Sequence, residues 1–211
     1  MYLNCHSYYS FRYGTLSPEA LVQQGLACGA KALALTDINN TSGCFDFIRA
    51  CEQQGIKPLI GMDIRNEHQP HYIALAHSMD GFENINRFAS GYLMDAKPFP
   101  KQPPQLPELS FIFPWGSRHI DDLGPNEYLG VRPEDLPKLR ISSFQRDRSK
   151  LVILNTVTFK GKIGFNTHRL LRAIDQNTLL SKLSFRHQAD ERQQMYDTEA
   201  LKLLYKDFPE I

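Results

Sequence analysis

Tyr2-Leu3-Asn4-Cys5-His6-Ser7 opens the chain, and Lys31-Ala32-Leu33-Ala34-Leu35-Thr36-Asp37 follows further on. Each is a short apolar run that ends in polar side chains. Runs of this length bounded by turn-forming residues read as buried strands. Between them Ser17-Pro18-Glu19 starts a helix, with Ser17 as N-cap and Pro18 at its first position. That helix runs to Cys28, and Gly29 fits its close. Residues 43–54 read as a second helix closed by Gly55, 56–64 and 71–76 as strands, and 81–92 as another helix. Strands alternating with helices in this way predict a parallel α/β architecture.

The middle of the chain breaks the rhythm. Residues 97–107 hold five prolines, which no regular element survives, so this is a surface connection. Strands resume at 111–113, 127–131 and 151–157. Pro133-Glu134-Asp135-Leu136 and residues 167–174 read as helix starts or short helices. His168, Arg169 and Arg172 then form a solvated basic face. From Ser181 onward the sequence is polar and reads as a tail whose packing partner lies outside the chain.

Composition narrows the class. With 42% hydrophobic and 22% charged residues in 211, the chain has enough apolar material for a core without disulfides. A net charge of +1 gives no bulk attraction for polyanions. Local basic clusters remain at Arg140, Arg146, Arg148 and Lys150, and at Lys160 and Lys162. Cys5, Cys28, Cys44 and Cys51 show no Cys-x-x-Cys spacing, so they read as buried free thiols of a reducing cytoplasm. Neither a secretion signal nor a run approaching the ~20 apolar residues of a membrane span is present.

The strand ends carry what chemistry there is. Residues two apart on a strand face one side, so a His-x-His pair there would give two imidazoles to one metal. Here that pair is Asn4 and His6, and an Asn amide is a poor ligand for zinc or manganese. Asp37 ends the second strand, where it can act as ligand or base, or accept N–H groups of its own loop, Ile38-Asn39-Asn40. Asp63 follows Ile60-Gly61-Met62 near a third strand end. His68, His71 and His77 flank one strand without sharing a face, and His119 and His168 stand alone. Ser7, Ser10 and Ser42 lack a nucleophile motif, and no Walker loop or dinucleotide fingerprint occurs.

His6-Ser7-Tyr8-Tyr9-Ser10 through Gly14, the run Lys31 to Asp37, Asn40, Gly43 and Gly55-Ile56-Lys57-Pro58-Leu59-Ile60-Gly61 together resemble the PHP (polymerase and histidinol phosphatase) domain. More narrowly, they resemble the PHP domain at the start of bacterial DNA polymerase III alpha subunits. Residues 73–76 with Gly81-Phe82-Glu83-Asn84, residues 128–136 and residues 168–174 fit the same group. The resemblance implies a distorted (β/α)7 TIM-like barrel over residues 1–180. Residues 181–211 then form a polar segment leading toward a polymerase body. Active members hold up to three metals at the strand C-termini and hydrolyse phosphoesters by metal-assisted attack of water.

Carried over residue by residue, the resemblance implies a site largely without ligands. Asn4 stands at a histidine position, and His6 is retained. Tyr13 stands at an aspartate, Ile38 at a histidine and Asp63 at a glutamate. Thr156 and Thr158 stand at an aspartate and a histidine. Asp37 is a possible polar remnant. The reading is therefore a bacterial, cytoplasmic, metal-free module in DNA replication, with no catalytic residue. Its partners are the polymerase body, a proofreading exonuclease subunit, and DNA through the full-length protein. In competition stands a metal-dependent phosphoesterase or 3′-5′ exonuclease, with zinc or manganese held by His6 and Asp63, aided by Asp37 and His71. A non-catalytic small-molecule-binding barrel is a third reading.

Overall fold

A computed structural model describes residues 1–142, 148–209 and 211. Of the basic cluster expected around Arg140, Arg146 lies outside the described residues. Among the described residues eight strands form one sheet in the order β7-β6-β5-β4-β3-β2-β1-β8. They are β1 (Tyr2–Cys5), β2 (Ala32–Leu35), β3 (Lys57–Asn66), β4 (Gln69–Ala76), β5 (Leu109–Pro114), β6 (Glu127–Val131), β7 (Leu151–Ile153) and β8 (Thr156–Val157). The edge strands β7 and β8 are separated in sequence only by Leu154 and Asn155. The sheet must therefore curl until both edges meet on one stretch of chain, which makes a distorted barrel with seven strand positions.

The interruption between β7 and β8 has a cause. The Asn155 side chain donates to the Gln194 carbonyl at 3.0 Å and accepts from the Tyr196 N–H at 3.1 Å. Those bonds turn residue 155 outward from the ladder. β7 remains parallel to β6, and β8 pairs parallel with β1, Asn4 opposite Thr156.

The helices are α1 (Pro18–Ala27), α2 (Cys44–Gln54), α3 (Met79–Met94), α4 (Leu136–Ile141), α5 (Gly161–Asp175) and α6 (Thr198–Leu204). Local signals set the first three. Ser17 Oγ accepts the Ala20 N–H, Gly55 takes the left-handed conformation after α2, and Ser78 Oγ caps α3 through Gly81 N–H. α5 begins well before the expected residue 167, because Gly161, at φ 62°, turns the chain directly into the helix.

The expected parallel alternation is broken once. β4 runs antiparallel to both β3 and β5, joined to β3 by a tight turn in which Glu67 has φ 52°. A hairpin needs no crossover helix, so none separates these strands. The start of β4 consequently lies at the same end of the barrel as the C-termini of β1, β2 and β3, and brings His68 and His71 there.

The last thirty residues are no free tail. Ala189, Met195, Leu201, Tyr205 and Phe208 are buried, and all but Ala189 belong to the main core cluster. Tyr205 Oη donates to the Val131 carbonyl at 2.7 Å, Thr198 Oγ1 to the Cys28 carbonyl at 2.6 Å, and Tyr2 Oη to the Tyr196 carbonyl. The segment packs against the barrel through apolar residues spaced too widely to show as a pattern. Cys5, Cys44 and Cys51 are buried free thiols, and Cys28 is half-buried. Among the described residues no helix is long and apolar enough to cross a membrane.

Candidate functional site

Strand ends at the barrel mouth bring Asn4, His6, Asp63, Thr156 and Thr158 into one hydrogen-bonded group. Asn4 Oδ1 accepts from the Thr36 hydroxyl at 2.8 Å, and Asn4 Nδ2 donates to Thr156 Oγ1 at 3.1 Å. His6 lies between two partners, with Nε2 3.1 Å from Asp63 Oδ2 and Nδ1 3.0 Å from Thr158 Oγ1. An ionised carboxylate only accepts, so Nε2 carries the proton, while Nδ1 faces a threonine hydroxyl that donates to Gln193 Oε1 at 2.9 Å. His6 is fully buried. Burial pushes its pKa below the ordinary value, the Asp63 hydrogen bond opposes this, and Arg65 adds to the depression.

Asp63 makes its strongest contacts with a residue that the sequence reading passed over. Arg65, two positions on along β3, donates from Nε to Asp63 Oδ1 at 2.9 Å and from Nη2 to Oδ2 at 2.6 Å. Burial pushes the Asp63 carboxyl up, but the Arg65 guanidinium and the His6 bond outweigh it and hold the group well below the usual carboxylate range. The signal was present as Asp-x-Arg on one strand, a spacing that puts both side chains on one face. Tyr13 covers the pair. Its ring lies 5.0 Å from the Arg65 guanidinium carbon and packs edge-on against His6 at 5.7 Å.

Asp37 faces the same end but is used differently. It accepts the Ser7 N–H and the Ser7 and Ser10 hydroxyls, each at 2.7 Å. Its partners are thus the loop after β1, not the Ile38-Asn39-Asn40 loop that follows it. Burial still raises its pKa, against those three hydrogen bonds. Ile38 pairs with Asp63 as an isolated bridge, and with Phe11, Tyr13, Arg65, His68 and Arg172 it lines a mouth cavity of about 650 Å³. His71 is held off by Asn66, whose Nδ2 lies 2.8 Å from His71 Nε2.

Two of the three residues of the solvated basic face expected at α5 are not on the surface. His168 and Arg172 are buried, because both turn inward onto the Tyr13 loop and the C-terminal segment. His168 Nδ1 bonds the Tyr13 carbonyl at 2.7 Å, and its Nε2 accepts the Ala189 N–H at 2.8 Å. Burial, aided by Arg172, lowers its pKa to about 4 against the pull of the Tyr13 carbonyl. Arg172 donates to the His187 carbonyl at 2.7 Å, with Nη2 3.0 Å from His68 Nδ1. Tyr13 organised these contacts from far away in sequence, so no local pattern announced them.

The donor set does not match a metal cluster. Among the described residues no three His, Cys, Asp or Glu side chains are grouped to hold an ion. Asn4, Ile38, Tyr13, Thr156 and Thr158 supply no imidazole or carboxylate, and the oxygens of Asp63 are already bonded to Arg65 and His6.

Sequence relatives give the same geometry a lineage. The chain is 38% identical to DNA polymerase III subunit alpha of Mycoplasma genitalium over 94 residues, covering 42% of this chain and 11% of that one. It is 34% identical to an error-prone DNA polymerase of Symbiobacterium thermophilum over 98 residues, 46% of this chain and 9% of that protein. A 251-residue alignment with DNA polymerase III subunit alpha of Buchnera aphidicola subsp. Acyrthosiphon pisum covers all of this chain and 22% of the relative, at 23% identity. The chain therefore matches only 9–22% of the length of these relatives. The PHP domain profile matches residues 3–109, half of the sequence, and the chain belongs to the PHP domain family.

Proposed function

We propose that this chain works in bacterial DNA replication as the PHP domain of a polymerase III alpha-type protein, as a structural and docking module without hydrolase activity. The observation that carries this reading is the self-satisfied cluster at the mouth. Asp63 is bonded to Arg65, His6 to Asp63 and Thr158, and Asn4 to Thr36 and Thr156. Metal-assisted hydrolysis needs ligands free to bind an ion and an open position for water, and these residues are engaged with one another. Likeness to alpha subunits over the whole chain supports the replication setting. The proposed partners are the polymerase body, DNA through the longer protein, and a proofreading exonuclease subunit.

The test is elemental metal content after incubation with excess zinc and manganese and removal of free ion, paired with a phosphoester hydrolysis assay. We expect less than about a tenth of an equivalent of metal and no turnover, since a structural or catalytic site binds stoichiometrically. One tightly held equivalent that supports hydrolysis and is lost on His6→Ala would establish the phosphoesterase reading instead. Binding to a purified exonuclease subunit, followed by calorimetry, tests the docking role; no heat at micromolar concentration would remove that partner.

A further inference from the structure

We infer that Arg65 is a resident cation, which supplies inside the barrel the positive charge that a bound metal supplies elsewhere in such sites. The inference rests on the metal-free reading above and assigns a residue to the vacant role. Asp63 and Arg65 share one face of β3. The register shift between β3 and β4 at this point places the extra residue, His71, in β4, so β3 keeps its alternation. The guanidinium meets the carboxylate as a fork, Nε on one oxygen and Nη2 on the other, at 2.9 and 2.6 Å. His6 adds a third donor on Oδ2. Three N–H groups on two oxygens use the directions along which a metal would approach.

The backbone is built to hold Arg65 in place. Asn39, itself at φ 55°, accepts the Arg65 N–H at Oδ1 (2.8 Å) and donates from Nδ2 to the Arg65 carbonyl at 2.9 Å. Tyr13 closes over the guanidinium, and both charged side chains are almost fully buried. An isolated charge is costly in such a place, whereas this pair sums to zero with His6 neutral. A divalent ion beside the guanidinium would leave a double positive charge uncompensated.

A thermodynamic cycle tests the inference on the whole chain: wild type, Asp63→Asn, Arg65→Met and the double variant, read by thermal unfolding with and without chelator. Each single variant leaves one buried charge alone and is expected to lower Tm by about 10 °C. The double variant removes both charges and is expected to melt above either single variant, and the chelator is expected to change none of the four. Should a single variant fail to fold, the double variant remains decisive, because a neutral Asn–Met pair is expected to fold. A double variant no more stable than the singles, or Arg65→Met as stable as wild type, overturns the resident-cation role. That result would leave the metal-free reading standing, whereas stoichiometric metal in the wild type would remove the reading itself.

Discussion

His168 accepts a hydrogen bond at Nε2 from the Ala189 N–H while its Nδ1 lies 2.7 Å from the Tyr13 carbonyl. That geometry defines a neutral ring with its proton on Nδ1. A second proton on Nε2 would face an N–H donor, and with burial this accounts for a pKa lowered from 6.5 to about 4. The folded pKa lies below the unfolded one, so the unfolded chain binds more protons between these values and stability falls as pH drops from 6.5 to 4. The expected loss from His168 is about 3 kcal/mol. Urea denaturation at pH 7.5, 6, 5 and 4 measures it. His168→Gln is expected to start less stable at pH 7.5 and to show a shallower decline; an unchanged slope would place the titration elsewhere.

Asp37 anchors the loop after β1 through three acceptor contacts at 2.7 Å. Asp37→Ala strands the buried Ser7 N–H and two hydroxyls and is expected to cost about 3 kcal/mol. Asp37→Asn keeps one oxygen and is expected to lose less. Chemical denaturation gives both numbers, and amide exchange at Ser7 and Ile38 reports the loop directly. Equal stability of Asp37→Ala and wild type would show that the loop holds its shape without the carboxylate.

Two glycines make opposite predictions. At Gly61 in β3 a Cβ would sit 2.2 Å from the Ala74 carbonyl oxygen of the neighbouring strand, so Gly61→Ala is expected to destabilise by at least about 2 kcal/mol. At Gly91 in α3 nothing lies within 4 Å, and Gly91→Ala is expected to stabilise by about 0.5–1 kcal/mol through helix propensity and a less flexible unfolded chain. Melting curves of the two variants, run side by side, should move in opposite directions.

Tyr205 tests the integration of the C-terminal segment. Tyr205→Ala empties a buried aromatic site and is expected to cost about 3–5 kcal/mol. Tyr205→Phe removes only the hydroxyl on the Val131 carbonyl, which also accepts the Leu154 N–H at 2.9 Å, and is expected to cost about 1 kcal/mol. A negligible effect of Tyr205→Ala in urea denaturation would mean that the segment is a removable appendage.

The first half of the fold was legible because its punctuation is local. Ser17-Pro18 and Gly55 act within a few residues of where they stand, so α1, α2 and the strands between them follow from spacing alone. The direction of β4 was not legible, since a buried strand carries the same apolar run whichever way it points. His168 and Arg172 looked like surface residues because the groups that bury them, Tyr13 and Ala189, lie far away in sequence. At the mouth, strand ends pointed to His6, Asp37 and Asp63, of which His6 and Asp63 meet while Asp37 turns to Ser7 and Ser10; Thr156 and Thr158 came from the resemblance alone. The ion pair within the group was not legible, because the resemblance directs attention to ligands and Arg65 is not one.

The seam of the barrel bears on how the protein is made. Asn4 donates to Thr156, a partner 152 positions later in the chain, and β1 offers its outer edge to nothing else. A nascent chain emerging from its N-terminus carries that open edge until β8 has left the ribosome. Exposed strand edges recruit other strands, and pairing across so long a loop is slow. The sequence meets this hazard with brevity: β1 is four residues long and is followed directly by His6, a poor template for a stranger. Closure is then a single late event, in which the seventh strand position seals both edges of the sheet in one passage of seven residues.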